Sequence, residues 1–242
     1  MADYSEDYLL DKRVKIFQPR EGYRASTDAV LLAATVAKIK NSDNILDIGS
    51  GTGAVALCIA EQFKNSDIKI CGIELQTELA ALANMSAQAN GFTAVKFVNE
   101  NIFKTTMPFC SFDHVVSNPP YAEHDMPSPK TGKATAHNFG AHGLADWIAM
   151  MIKMIKPQGY FYMVNRAEAL APILSAIHGK LGAIEVFPIY SKQGQNAKRI
   201  IIRARKDSKA PLTIHPGLIV HQDSGEYSSA ANAILREGRL WE

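Results

Sequence analysis

Asn44-Ile45-Leu46-Asp47-Ile48-Gly49-Ser50-Gly51-Thr52-Gly53 sets the fold class. A short apolar run that reads as a strand breaks into three alternating glycines. The chain then enters Ala54-Val55-Ala56-Leu57-Cys58-Ile59-Ala60, a helix-like run. Glycines between a strand and a helix permit a tight turn and let a ligand approach the backbone closely. Outward from this bend, strands and helices alternate. Lys69 to Glu74 reads as a second strand, followed by an Ala- and Leu-rich helix from Thr77 to Ala89, with Gly91 as its stop. Val95 to Val98 and Phe112 to Ser117 read as strands three and four. A helix over Leu144 to Ile155, a strand over Tyr160 to Val164 and a helix over Ala167 to His178 come next. Ile184 to Ile189 and Arg199 to Ala204 complete the strands, joined by a polar loop too short for a crossover, so this last pair is antiparallel. Such alternation predicts an α/β, Rossmann-like three-layer sandwich on a mostly parallel sheet with one antiparallel strand near its edge. Its ligand crevice lies at the carboxyl ends of the strands.

The glycine bend alone is ambiguous. Gly49 to Ala54 also satisfies the dinucleotide pattern G-x-G-x-x-A, with Glu74 suitably placed to hold a ribose. Against a nicotinamide stand Asp47, a carboxylate placed for a ligand's ammonium group, and a second motif without use in hydride transfer. That motif is Asn118-Pro119-Pro120-Tyr121, at the tail of the fourth strand. Two prolines fix φ and remove two backbone donors, and the first biases Asn118 toward an extended conformation. The result is a stiff turn with an amide oxygen, outward carbonyls and an aromatic face, the equipment for holding a planar amine. Its bland alternative is a turn that only terminates a strand.

Both motifs in this order resemble the Class I S-adenosylmethionine-dependent methyltransferases, in the branch that methylates amino nitrogens. The resemblance implies a seven-stranded sheet and S-adenosyl-L-methionine as cofactor. It places Asp47, Gly49, Gly51 and Gly53 around the methionine part, and Glu74, with Leu75 beside it, at the ribose. Asn101 and Ile102 fall at the adenine, where the family more often has Asp in place of Asn101. Asn118, Pro119, Pro120 and Tyr121 become the catalytic turn, Asn118 also bordering the cofactor. The lead-in from Gln18 to Arg24 and the run Asp28 to Ala34 look like the opening of the bacterial tRNA(Val) adenine-N6 methyltransferase family. That likeness extends from about Val14 to Leu235. It implies a tRNA substrate, methylated on an adenine beside the anticodon, and adds Tyr23, Arg24 and Thr27 as cofactor neighbours. Ser26, Thr27 or Asp28 could equally well cap a helix over Ala29 to Ile39.

The same tetrapeptide serves enzymes acting on glutamine amides of release factors, on cytosine amines and on guanine amines of ribosomal RNA. The glutamine enzymes normally carry a helical domain ahead of the sheet; here only a lead-in of residues 1–43 precedes the core. A non-catalytic RNA-binding module is the rival from another class. The expected organisation is a single domain over residues 1–242: that lead-in, a core sheet over 44–205, and an extension over 206–242 with a strand pair (Leu212 to His221) and a helix (Ser229 to Arg236).

A net charge of +2 advertises no global affinity for nucleic acid, so any RNA site must be local. Lys192, Lys198, Arg199, Arg203 and Arg205 form the densest basic run. It reads either as a phosphate-binding patch at one end of the sheet or as a solvated edge strand. The long loop from Ala122 to Gly143 reads as a lid over a flipped base or as a disordered connection. Thr131-Gly132-Lys133 lacks the remaining residues of a phosphate loop, and His124, His137 and His142 lack ligand spacing, so no metal is expected. Cys58, Cys71 and Cys110 are unpaired in sequence, and Cys58 and Cys71 are expected as buried thiols. With an acidic start and no apolar run long enough for a bilayer, the expectation is a cytoplasmic protein without membrane contact.

Overall fold

The computed structural model describes residues 3–22, 24–120 and 142–241. The expectations for Tyr23, Tyr121 and loop residues 122–141 lie outside them. The core strands are β3 (Asn44–Ile48), β4 (Lys69–Glu74), β5 (Val95–Asn99), β6 (Phe112–Ser117), β7 (Ile155–Arg166), β8 (Leu181–Tyr190) and β9 (Ala197–Lys206). They lie in the order β5-β4-β3-β6-β7-β9-β8. All are parallel except β9, which runs antiparallel to both β7 and β8. This is the expected sheet. The extension departs from expectation: β10 (Thr213–Ile214) and β11 (Leu218–Ile219) do not pair with each other. Each adds in parallel to β8, making nine strands.

Helices α1 (Thr27–Ala34), α2 (Ala54–Gln62), α3 (Thr77–Ala89) and α6 (Ser229–Leu235) belong with one apolar layer; α4 (Leu144–Met154) and α5 (Leu170–Ile177) belong with the other. Helix α1 stops five residues earlier than its apolar run suggests. The Thr35 hydroxyl donates to the Leu32 carbonyl, and Lys38 takes a left-handed φ of 64° that turns the chain toward β3. Pro172 sits in the first turn of α5, where a missing N–H breaks no helical bond. Between β5 and β6 there is a 3-10 turn (Ile102–Lys104) and no α-helix. Part of that sheet face therefore borders an open groove of about 360 Å³ at the amino ends of the strands, lined in part by Lys69, Cys71, Lys96 and Phe112. Cys71 is accordingly only half-buried, against expectation, while Cys58 is buried and Cys110 exposed.

The lead-in contains an unanticipated hairpin, β1 (Tyr4–Leu9) with β2 (Val14–Pro19). Strand β2 alternates strictly, burying Val14 and Ile16. Each of these side chains contributes roughly 1.5–3 kcal/mol by leaving water. The hairpin stands apart from the main sheet and is clasped to α3. Asn90 accepts the Lys15 N–H (2.8 Å) and donates to the Lys15 carbonyl (2.6 Å), and the Ser86 hydroxyl accepts the Phe17 N–H (2.9 Å).

Candidate active site

From β3 the chain runs one way through β4 to β5 and returns through β6 the other way. The order reverses between β3 and β6, where open α/β sheets bind ligands. At the end of β3, the N–H groups of Gly49 and Ser50 donate to the Ile73 carbonyl (2.9 and 3.0 Å). The N–H of Gly51 donates to the Glu74 carboxylate (2.8 Å), whose other oxygen accepts the Gln76 N–H (2.8 Å). Glu74 thereby stitches the bend to the end of β4. Two glycines are required by close approach as well as by positive φ. A Cβ on Gly49 would lie 3.1 Å from the Trp147 ring, and one on Gly53 would lie 2.6 Å from Phe97. Gly72, unremarked in the sequence, serves the same bend from within β4: its Cβ would meet Phe97 at 2.2 Å and the Ser50 hydroxyl at 2.9 Å.

Asp47 is 1% exposed, and neither carboxylate oxygen has a hydrogen-bond partner among the described residues. Burial raises its pKa to about 7. The Ala56 N–H opposes this without reaching hydrogen-bond geometry, and the charge of Glu74 reinforces it. The hydroxyls of Ser50 and Thr52 are also buried and unpartnered. Buried polar atoms are nearly always satisfied, so a cluster of orphans at one bend marks a place shaped for a polar ligand.

Val116 of β6 lies opposite Asp47 of β3, the last pair of that ladder, and Asn118 leaves β6 two residues past it, as Gly49 leaves β3. The Ser117 hydroxyl donates to the Ile48 carbonyl (2.7 Å) and accepts the Trp147 indole N–H (3.0 Å). Pro119 is buried; Asn118 and Pro120 are half-buried. Asn101 lies past the end of β5, where its side-chain oxygen accepts the Phe103 N–H (2.9 Å) and caps the 3-10 turn. An amide oxygen retains a second lone pair for another donor. Ile102 is buried and Leu75 is 66% exposed. Phe103 stacks on His142 at 3.7 Å, a contact that sequence spacing gave no reason to expect. Asn99 donates to the carbonyls of Glu74 and Leu75 (3.0 and 2.8 Å), fixing that loop from β5.

In the lead-in, Ser26 is the α1 N-cap, accepting the Asp28 N–H at 3.3 Å, and Thr27 is exposed at the first helical position. Arg24 reaches back to the hairpin, bonding Asp7 (2.7 Å), the Ser5 hydroxyl (3.0 Å) and the Pro19 carbonyl (3.2 Å). The basic run does not form one patch. Because β9 is antiparallel, Arg199 lies opposite Arg166 at the site's end of the sheet and Arg205 lies opposite Tyr160 at the other end. Six residues of strand separate them by about 20 Å. Arg203 is 4% exposed and makes paired 2.7 Å bonds to Glu185 and a 3.1 Å bond to the Thr35 carbonyl. It is a buried tie between β9, β8 and α1, not a phosphate contact. Arg205 donates to the Gln158 carbonyl (3.0 Å) at the far end, away from the site. Lys198 is exposed at the near end, with Lys192 in the preceding turn and Arg199 paired to Asp28 (3.2 Å).

Residues 39–205 match the methyltransferase domain model. The chain belongs to that family. A curated relative from Pedobacter heparinus, the tRNA1(Val) (adenine(37)-N6)-methyltransferase, is 28% identical over 228 residues, covering 93% of this chain and 95% of the relative. The namesake from Actinobacillus succinogenes is 26% identical, covering 93% and 94%. Among solved structures, a predicted O-methyltransferase from Agrobacterium tumefaciens superposes with a TM-score of 0.70 at 24% identity, covering 86% of this chain and 94% of that one. That likeness concerns the fold.

The chain is an S-adenosylmethionine-dependent methyltransferase. Its bend fits that cofactor: the Asp47 carboxylate, buried and unpartnered among the described residues, would supply a counter-charge for an α-ammonium group. Among the described residues, no group of three His, Cys, Asp or Glu could hold a metal. No described helix is long and apolar enough to cross a membrane.

Proposed function

We propose that the protein methylates the exocyclic N6 amine of an adenine in tRNA, beside the anticodon of tRNA(Val). The observation that carries this reading is the placement of Asn118 and Pro119 at the end of β6, one strand from the glycine bend. The names of the curated relatives, at 23% to 28% identity over most of the chain, favour adenine in tRNA over other amines.

When bound, S-adenosylmethionine supplies a methyl group made electrophilic by its sulfonium. Asp47 would hold the ammonium group, Glu74 the ribose hydroxyls, and Asn101 with Ile102 the adenine of that cofactor. The chain's remaining task is to make a poor nucleophile reactive, since the lone pair of an adenine amine is delocalised into its ring. The Asn118 side-chain oxygen and the Pro119 carbonyl accept its two N–H bonds. Both acceptors favour a more tetrahedral nitrogen and disperse positive charge as it develops. Tyr121 completes the turn as a stacking surface. A base within a structured anticodon arm must leave its stack to reach this turn. Lys198 and Lys192, with Arg199, lie at the same end of the sheet as Asn118 and would meet backbone phosphates there.

The test is incubation with labelled S-adenosylmethionine and, separately, bulk tRNA, ribosomal RNA and purified release factor, followed by nucleoside digestion. Label in N6-methyladenosine from tRNA is the expected result. Label confined to protein or to guanosine would replace the substrate, and label nowhere would favour a non-catalytic RNA-binding module. Asn118→Ala should lower kcat by about 10²–10³-fold with cofactor affinity preserved, as measured by single-turnover rates and calorimetry.

A further inference from the structure

Trp147 and Ser117 belong to neither the glycine bend nor the Asn-Pro-Pro-Tyr turn, yet they join the two. The backbone ladder between β3 and β6 ends at Asp47 and Val116. Beyond that pair the strands are free to splay, and this is where Gly49 and Asn118 begin. The Ser117 hydroxyl takes over from the ladder, donating to the Ile48 carbonyl at 2.7 Å. It is fully buried, and it accepts the indole N–H of Trp147 at 3.0 Å. The same indole ring lies so close to the bend that a Cβ on Gly49 would approach it at 3.1 Å. One side chain from α4 therefore touches the loop that holds the methyl donor and orients the residue preceding Asn118.

We propose that Trp147 and Ser117 are positioning residues for methyl transfer, their hydrogen-bonded chain to Ile48 setting the distance between Asn118 and the glycine bend. The proposal rests on Asn118 being the residue that holds the amine. A misplacement of about 1 Å between reacting groups costs about 10²-fold in rate, and the chain acts on this separation without touching substrate.

The experiment compares Trp147→Phe, Ser117→Ala and Ser117→Thr with the native enzyme in single-turnover kinetics, with donor binding and melting temperature measured on each. Expected are a kcat lower by about 10- to 100-fold for Trp147→Phe and Ser117→Ala, and a donor Kd within about twofold. Ser117→Thr, which retains the hydroxyl, should recover most of the rate. An unchanged kcat in folded Trp147→Phe overturns the proposal, as does a rate loss matched by an equal loss of donor affinity. Independent of any substitution at the chain itself, Trp241→Phe leaves Trp147 as the sole tryptophan of the two in the sequence. Its emission should shift saturably on titration with S-adenosylhomocysteine; no shift at saturation overturns the link to the bend. Asn118→Ala serves as the parallel control. Full activity there brings down the assignment of the turn, whereas loss there beside an unaffected Trp147→Phe brings down the positioning chain alone.

Discussion

The two ends of the central sheet bury polar groups equally deeply and treat them oppositely. At the carboxyl end, Asp47, Ser50 and Thr52 supply four of the seven buried side-chain polar atoms without a partner among the described residues. At the amino end, His114 is 1% exposed with one ring nitrogen 3.0 Å from the Asp43 carboxylate and the other 3.2 Å from the Tyr162 hydroxyl, which also lies 3.0 Å from the Ala37 carbonyl. Asp113 nearby accepts from Lys156 (2.7 Å) and from the Asn44 N–H (2.9 Å). Equal depth with unequal satisfaction separates a working site from a structural brace. The brace is complete as folded; the site is complete only with a ligand, and until then it detracts from stability.

Asp47→Asn is the strongest way to break this contrast. Loss of the buried negative charge should weaken donor binding by about 10- to 100-fold in calorimetry, the worth of a charge-assisted bond. Stability should move the other way. With a folded pKa of about 7 against an ordinary 3.8, Asp47 favours its protonated form in the fold. The Asp47 contribution to donor-free stability is then greatest below about pH 4 and falls by on the order of 4 kcal/mol as pH rises to about 7. Asp47→Asn should flatten that slope and melt above the native protein at pH 8. Donor-free melts that show no such difference would place the Asp47 carboxylate in a satisfied setting.

At the amino end, His114→Gln should cost about 1–3 kcal/mol in denaturant titrations and leave donor affinity unchanged, since it removes the ring that bridges Asp43 and Tyr162 from a buried position. Burial holds the His114 pKa below its ordinary value, although Asp43 pulls it upward. Its contribution is therefore present above about pH 6.5 and lost as pH falls through the lowered folded value. A donor-binding defect in His114→Gln would mean that the two ends are coupled. The smallest effect sharpens the same division. Lys198→Glu should weaken tRNA binding several-fold and reduce the salt slope by about 1, whereas Arg205→Glu at the far end should do neither.

The bend, the Asn-Pro-Pro turn and the strand-helix alternation were legible because each rests on local chemistry: glycine and proline restrict the backbone wherever they occur, and apolar runs mark the elements between them. What stayed hidden depends on partners distant in sequence. The hairpin escaped notice because Tyr4 to Leu9 is charged and half-exposed, and β2 finds its clasp only on Asn90 and Ser86. Strands of two residues, as in β10 and β11, carry no periodicity to read. Arg203 looked like its basic neighbours, although the alternation of β9 aims it at α1 and its Glu185 partner comes from the adjacent strand. Trp147 falls inside the helix expected over Leu144 to Ile155, and nothing in its spacing marks the indole N–H that finds Ser117.

The β1–β2 hairpin hangs on α3 by side-chain clasps rather than by a shared ladder with the main sheet. Local opening of that two-stranded sheet should therefore need fewer backbone bonds to break than opening of the nine strands beside it. Amide hydrogens from Val14 to Gln18 should exchange together, ahead of those in β3 and β6. Exchange at Lys15 and Phe17 would then report on the Asn90 and Ser86 clasps alone, and loosening Asn90 would free the hairpin while the main sheet keeps its protection.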